Sequence, residues 1–300
     1  MARQFVLPLR SISTPIQLNN LVAGRWDLVC RCMCNAMLIS DGVRNDTKLQ
    51  LILSNDNGAS TGNGVHSNEH GDVGDGSSSQ NNRGSVFVEI DGSKAENLRP
   101  DERHLASLLQ WLLDPPTPSA WKVQEYRRHR PGVSEAEARD ALVAVSRKCL
   151  GGFEARRGVG LCEALDRTLC RPHQADSGCE VDVGGADVSM CPGTAGMDRA
   201  SASLKAPTPP LVLLLDAAGE HFAAVCTEPG AQQAARQGGV VIVLGGSKGL
   251  LQGDVVAVEA WAEAAGVCVR RVSLGRTTLL ASQCITIVHH YLDALLAHEA

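Results

Sequence analysis

Aromatic side chains are scarce, at 3% of 300 residues, so any core must be filled by the aliphatic residues that bring the apolar fraction to 44%. Long hydrophobic runs are missing as well. The longest, Leu211–Leu215 and Val240–Leu244, have the length of strands, against the roughly 18 residues of a membrane-spanning helix, and this excludes a helical membrane protein. No C-x-x-C occurs among the eleven cysteines, and the opening Met1-Ala2-Arg3-Gln4-Phe5-Val6-Leu7-Pro8 lacks an apolar signal core. Free thiols in a reducing, cytoplasmic setting are therefore expected. Cys30, Cys32 and Cys34 fall on a helical pattern that turns Cys32 away from the other two, so they read as small core residues and no metal site is expected. Charge of one sign is not in large excess. With 28 bases against 33 acids and a net charge of -5, bulk coating of nucleic acid is excluded, although local basic patches are not. Arg3, Arg10 and Arg25, with no acid up to residue 26, suit a transit peptide, but Gln4–Leu9 also reads as a buried strand.

Two stretches carry little pattern. Residues 54–84 are almost entirely Gly, Ser, Asn, Asp and His, too polar to offset the entropy of ordering. Residues 150–208 are rich in Gly, Cys and Pro, with one short helix expected around Leu161–Leu169. Both are read as poorly ordered insertions in a single domain spanning residues 1–300. The remaining core, about 210 residues, alternates strand and helix. Strands are expected at Gln4–Leu9, Lys48–Leu53, Ser85–Asp91, Leu211–Leu215, Val240–Leu244 and Val267–Leu274. Helices are expected at Leu21–Ile39, Pro100–Leu113, Ser134–Leu150, Asp254–Ala265 and Leu280–Ala297. That order implies an α/β fold with a mostly parallel sheet, whose ligands bind beyond the carboxyl ends of strands. The loops after Leu215, Leu244 and Leu274 are the places to look.

The loop Gly245-Gly246-Ser247-Lys248-Gly249 allows close backbone approach to a ligand, yet it is neither a P-loop nor the dinucleotide fingerprint. Arg270 and Arg271 suit an NADP 2′-phosphate, which leaves an oxidoreductase as one alternative. Arg127, Arg128 and Arg130, with His129 between them, form the densest basic run and are candidate RNA phosphate contacts. Asp101, Glu102 and Arg103 open a helix, where acids are expected for capping as much as for catalysis. His289, His290 and Asp293 place a His and an Asp one helical turn apart, which alone makes no site.

The third loop, Ser273 to Ile285, with the helix Ile285-Thr286-Ile287-Val288-His289-His290-Tyr291-Leu292-Asp293, resembles the C-terminal signature of SPOUT methyltransferases. More narrowly it resembles the archaeal tRNA pseudouridine-54 N1-methyltransferases (TrmY type), themselves related to rRNA pseudouridine methyltransferases. Arg3-Gln4-Phe5-Val6-Leu7, Leu18-Asn19-Asn20-Leu21 and Ala23-Gly24-Arg25-Trp26-Asp27 stand where that family has R-Q-F-V-L, L-N-D-L and A-G-R-M-D. Further blocks are Ser40-Asp41-Gly42-Val43-Arg44, Leu98-Arg99-Pro100-Asp101-Glu102-Arg103 and Arg130-Pro131-Gly132-Val133, all in the family's order.

The resemblance implies a SPOUT fold with a C-terminal trefoil knot that binds S-adenosylmethionine (SAM). The cofactor contacts would be Leu215, Gly245, Leu274, Gly275, Arg276, Thr277, Thr278, Leu279 and Cys284. It also implies a homodimer joined through the last helix, whose apolar face holds Ile285, Val288, Leu292 and Leu295, and an RNA substrate, tRNA first and rRNA second. Methyl transfer to N1 of pseudouridine needs a proton acceptor and a group that stabilises charge on the ring, roles that fall to Asp27 and Arg25. A helix-start salt bridge is the competing reading of that pair. The match departs at Gly246 and Ser247, where the family has an acid and a histidine, and at Gln283 and Asp41, which replace two more histidines. These departures keep open a non-catalytic RNA-binding or ribosome-assembly factor.

Overall fold

The computed structural model describes residues 1–55, 85–96, 98–115, 117–148, 150–169, 208–246 and 249–297. Strand β1 (Arg3–Arg10) is followed by α1 (Trp26–Met37), a small hairpin of β2 (Leu38–Ile39) and β3 (Gly42–Val43), and β4 (Thr47–Ser54). Next come β5 (Val86–Asp91), α2 (Glu102–Leu113), α3 (Ala120–Arg128), α4 (Glu135–Lys148), β6 (Phe153–Arg157) and α5 (Leu161–Leu169). The last third holds β7 (Leu211–His221), α6 (Phe222–Thr227), α7 (Pro229–Gly238), β8 (Val240–Val243), α8 (Gln252–Ala265), β9 (Val269–Ser273) and α9 (Ala281–Ala297).

Seven strands form one sheet in the order β6-β5-β4-β1-β8-β7-β9. The five from β4 to β9 run parallel, and β5 and β6 are added antiparallel at one edge. Side chains alternate across the sheet. From β1, Phe5, Leu7 and Leu9 enter a core with α1, α2, α6, α7 and α9, while Val6 enters a second core with α5 and α8. Burial on both faces explains why the central strands read as unbroken apolar runs.

Two boundaries differ from expectation for local reasons. Helix α1 begins at Trp26 rather than Leu21, because Arg25 takes a left-handed conformation (φ 59°, ψ 23°) and the Trp26 indole donates to the Ser13 carbonyl at 2.7 Å. Helix α2 begins after Asp101, whose carboxylate accepts from the His104 amide at 2.6 Å, so this acid serves as a cap.

The second expected insertion starts too early. From Leu150 the chain builds β6, paired antiparallel with β5, and then the short helix α5, whose Asp166 accepts from the Trp261 indole at 2.8 Å. Strand β6 (Phe-Glu-Ala-Arg-Arg) has no sequence signature, because an edge strand with charged residues shows no apolar alternation. The rest of that stretch, 170–207, and residues 56–84 of the first lie outside the described residues.

The last helix also corrects an expectation. Ile285, Val288, Leu292 and Leu295 are all buried within the chain itself, most of them in the core shared with α1 and β1, so they offer no face to a second copy.

Polar contacts fix the register of α9. Arg3 is 2% exposed and lies 2.6 Å from Asp293, 3.0 Å from Asp46 and 3.0 Å from His289 Nδ1, while Arg44 reaches Asp293 at 3.0 Å. Because Arg3 donates to Nδ1, the proton of His289 sits on Nε2, which donates to the Ala36 carbonyl at 3.1 Å.

A charged imidazole has no place there. Burial, then Arg44 and Arg3, lower the His289 pKa from 6.5 to about 4. The unfolded chain thus binds a proton that the folded one refuses, and stability falls as pH drops from 6.5 towards 4 by on the order of 3 kcal/mol. Burial raises the Asp293 pKa, but hydrogen bonds from Arg44 and Arg3 outweigh it and leave the group below 3.8, so its own contribution is lost only in stronger acid. His289→Asn should lower the urea midpoint at pH 7.5 yet flatten its decline between pH 6.5 and 4. An unchanged decline would assign the acid sensitivity to another group.

Candidate active site

The parallel strands β8, β7 and β9 are adjacent, so their carboxyl ends, and the loops expected to bind a ligand, share one rim of the sheet. Leu215 lies in β7 at the point where its pairing with β9 shifts from Leu215 to Glu220 opposite Val272. After β8, Gly246 and Gly249 pair as an isolated antiparallel bridge, which brings Gly245 close against Gly249 and Leu250. A Cβ on Gly245 would lie 2.0 Å from the Gly249 carbonyl carbon, which leaves room for glycine alone. Ser247 lies outside the described residues.

The third loop follows β9. Leu274, Gly275 and Leu279 are half-buried, while Arg276, Thr277 and Thr278 face solvent. Gly275 has φ 120°, a conformation that L side chains rarely adopt, with open space where a side chain would project. Ser273 Oγ bonds the Gly275 amide at 3.2 Å and steadies the turn. Gln283 accepts from the Leu280 amide at 2.9 Å, half of a capping box at the start of α9. The glutamine that replaces a histidine thus organises this loop. Cys284, half-buried behind it, has its thiol pKa pushed up by burial.

The start of α1 borders the same rim. A Cβ on Gly246 would meet Leu9 at 3.1 Å and Leu28 at 3.9 Å, so the glycine loop lies against the residue next to Asp27. Asn35 donates to the Ser282 carbonyl at 2.8 Å and joins α1 to the end of the third loop. Arg10, at the end of β1, makes a two-pronged ion pair with Asp254 (2.8 and 2.9 Å), and Asp254 also accepts from the Leu251 amide. These contacts tie β1, α1, the glycine loop and the first turns of α8 and α9 to one another.

Arg25 and Asp27 flank Trp26 at the start of α1, in different states. Asp27 is held by Arg31 one turn along α1, and Arg31 lies 3.9 Å from Glu102. The salt-bridge reading of Asp27 is therefore realised, though the partner is Arg31 and not Arg25. The Arg25 side chain makes no hydrogen bond or ion pair among the described residues, and its left-handed backbone is a strained choice for a non-glycine residue.

Other candidates resolve differently. Arg270 is engaged by Glu220 at 2.7 Å and by Glu228, and Arg271 by Glu259 at 2.6 Å, so neither is free to take a 2′-phosphate and the NADP reading loses its support. Cys30 and Cys32 are core residues whose thiol pKa values burial pushes up to about 12. Among the described residues no three His, Cys, Asp or Glu side chains converge as a metal site. Arg127, Arg128 and Arg130 are exposed on α3 and the turn after it, in a part of the chain separate from the loops of the rim. Asp41 is exposed on the tip of the β2–β3 hairpin.

Residues 2–73, which contain β1, the Arg25–Asp27 corner and β4, match a family described as "Putative SAM-dependent RNA methyltransferase". A tRNA (pseudouridine(54)-N(1))-methyltransferase of Methanocorpusculum labreanum is 30% identical over 137 residues, 45% of this chain and 57% of that one. The same enzyme of Halobacterium salinarum is 30% identical over 95 residues, 32% of this chain and 34% of its own. By sequence, the chain is similar to RNA methyltransferases. It spans about half the length, or less, of these curated relatives. A crystal structure of Archaeoglobus fulgidus Nep1 bound to S-adenosylhomocysteine aligns over 99% of both chains at 11% identity, with a TM-score of 0.43. Among the described residues no helix is long and apolar enough to cross a membrane.

Proposed function

We propose that this protein is a SAM-dependent RNA methyltransferase that acts on N1 of a pseudouridine in tRNA, with rRNA as the second choice. The observation that carries the proposal is the shared rim. The ends of three adjacent parallel strands share it, the glycine loop after β8 approaches Leu28 at the start of α1, and the segment with the family match carries Arg25 and Asp27 just before it. The residues fit the cofactor. Half-buried Leu215, Leu274 and Leu279 suit an adenosine, the loop amides suit its polar edge, and open space stands before Gly275. The C-terminal knot implied by the resemblance belongs to this proposal.

When bound, SAM supplies an electrophilic methyl group. The protein's part is to orient the base and remove the N1 proton. Asp27 is the proton acceptor, and Arg31 holds its carboxylate in place. Arg25, its guanidinium without a partner among the described residues, stabilises the charge that develops on the uracil ring or holds a phosphate beside it.

Calorimetry with SAM tests the proposal without a guess at the RNA. One cofactor per chain is expected, with no heat from NADPH. Incubation with unmodified tRNA carrying pseudouridine should then give a methylated nucleoside in a digest read by mass spectrometry. RNA binding without SAM binding would overturn the enzyme reading in favour of the non-catalytic factor, which the changes at Gly246 and Ser247 keep in play.

A further inference from the structure

Helices α3 and α4 pack chiefly on each other and border an open surface groove of about 350 Å³. Its lining includes Trp121, Tyr126, His129, Arg130 and Leu142. Trp121 is 65% exposed, an unusual position for the largest apolar side chain. Two cations attend the rings. The Arg130 guanidinium sits 4.6 Å from the centre of the Tyr126 ring, and Lys122 Nζ lies 5.8 Å from the centre of a Trp121 ring. From Ser119 to Val133 there are four bases and one acid, Glu125, in a chain whose net charge is -5. Glu125 is already matched by Arg128 at 2.6 Å and His129 at 3.1 Å.

The frame is set in place. Val123 and Ala138 are buried between the helices, and Arg127 donates to the Val133 carbonyl at 3.1 Å across the turn. Ser134 and Glu137 form a reciprocal capping box, with bonds of 3.2 and 2.8 Å, that starts α4. Holding an exposed indole on such a frame suits a ligand that meets it face-on.

We propose that this groove is a stacking platform for an unpaired base of the RNA substrate, apart from the rim where methylation occurs. The inference rests on the RNA-methyltransferase reading. A base offers a flat π-face to Trp121 or Tyr126, and its phosphates meet Lys122, Arg127 and Arg130, whereas an apolar peptide would leave those cations unmatched. The platform is sequence-tolerant, since every base has a π-face, and it holds the RNA while the rim selects the nucleotide.

The test uses the full chain and a fluorescein-labelled single-stranded oligouridine, with SAM titrated separately. Trp121→Ala should weaken RNA binding about tenfold or more, and Trp121→Phe should stay within about threefold of the parent. SAM affinity should be unchanged in both. Lys122→Ala should lower the slope of log K against log salt by about 0.7, the share of one phosphate contact on a single strand. RNA affinity unaltered in Trp121→Ala would sink the inference and leave the methyltransferase reading intact. An oligomer lost in that variant, with RNA binding unaltered, would also sink it and assign the groove to a second copy. Conversely, Trp121-dependent RNA binding in a protein that takes no SAM would retain the platform and remove the enzyme.

Discussion

A Gly245→Val protein should show no measurable SAM binding, a loss of at least about 100-fold, and should melt about 6–12 °C lower than the parent. The reason is covalent geometry. The new Cβ would fall 2.0 Å from the Gly249 carbon, 2.1 Å from its oxygen and 2.3 Å from the Leu250 nitrogen. All three are backbone atoms, so no rotamer change relieves the overlap, and the two limbs of the loop must separate. Such a shift costs on the order of 3 kcal/mol and pulls on Leu251, whose amide is bonded to Asp254 and through it to Arg10. Gly253→Ala is the matched control. Its Cβ meets nothing within 4 Å in the first turn of α8, so affinity should hold and stability should stay level or rise slightly. Calorimetry and thermal melts on the pair decide the matter. Equal SAM affinity in both would remove the loop from the cofactor site.

The second large effect concerns turnover. Asp27→Ala should leave SAM binding and folding nearly untouched but lower kcat by about 100-fold or more, the usual scale of a lost general base. A half-buried i,i+4 pair of this kind contributes on the order of 1 kcal/mol, so loss of the contact with Arg31 cannot by itself unfold the chain. Arg31→Ala separates the two readings of Asp27. It breaks the same pair but retains the carboxylate, so most of the activity should survive. If both variants lose activity equally, Asp27 acts through the salt bridge. Full activity in Asp27→Ala would end its assignment as proton acceptor.

The sequence reveals those parts of the molecule whose surroundings are uniform. β1, β4, β8 and the first four residues of β7 are buried on both faces, and the resulting apolar runs are visible without knowledge of their neighbours. Strand β6 has one neighbour and three charged residues among five, so pairing with β5 decides its state. Helix α3 (Ala-Trp-Lys-Val-Gln-Glu-Tyr-Arg-Arg) buries Val123 alone and shows no stripe to find.

The apolar stripe of α9 was visible, but what it packs against was not. Whether Val288 meets a second copy or its own α1 depends on Arg3, Ala36 and Asp46, far back in the chain, which lock His289 and Asp293 in place. The candidate site divides in the same way. Glycine loops after strands are legible because backbone geometry demands them. The tethered state of Asp27 and the capping by Gln283 depend on neighbours that only the fold supplies.

The central place of β1 bears on how the chain is made. One side pairs with β4, Arg3 opposite Thr47, and the other with β8, Arg3 opposite Val240. At about 5–20 residues per second, roughly 10–40 seconds separate the synthesis of these two partners. Throughout that interval the hydrogen-bonding edge of β1 that will face β8 stands open on the ribosome, a template for any stray strand. The intervening chain, which itself builds β5, α2 to α5, β6, β7, α6 and α7, adds little to the entropy of closing the sheet, since that cost grows only with the logarithm of length. Its burden is time, and this protein should depend on nascent-chain chaperones more than its size suggests.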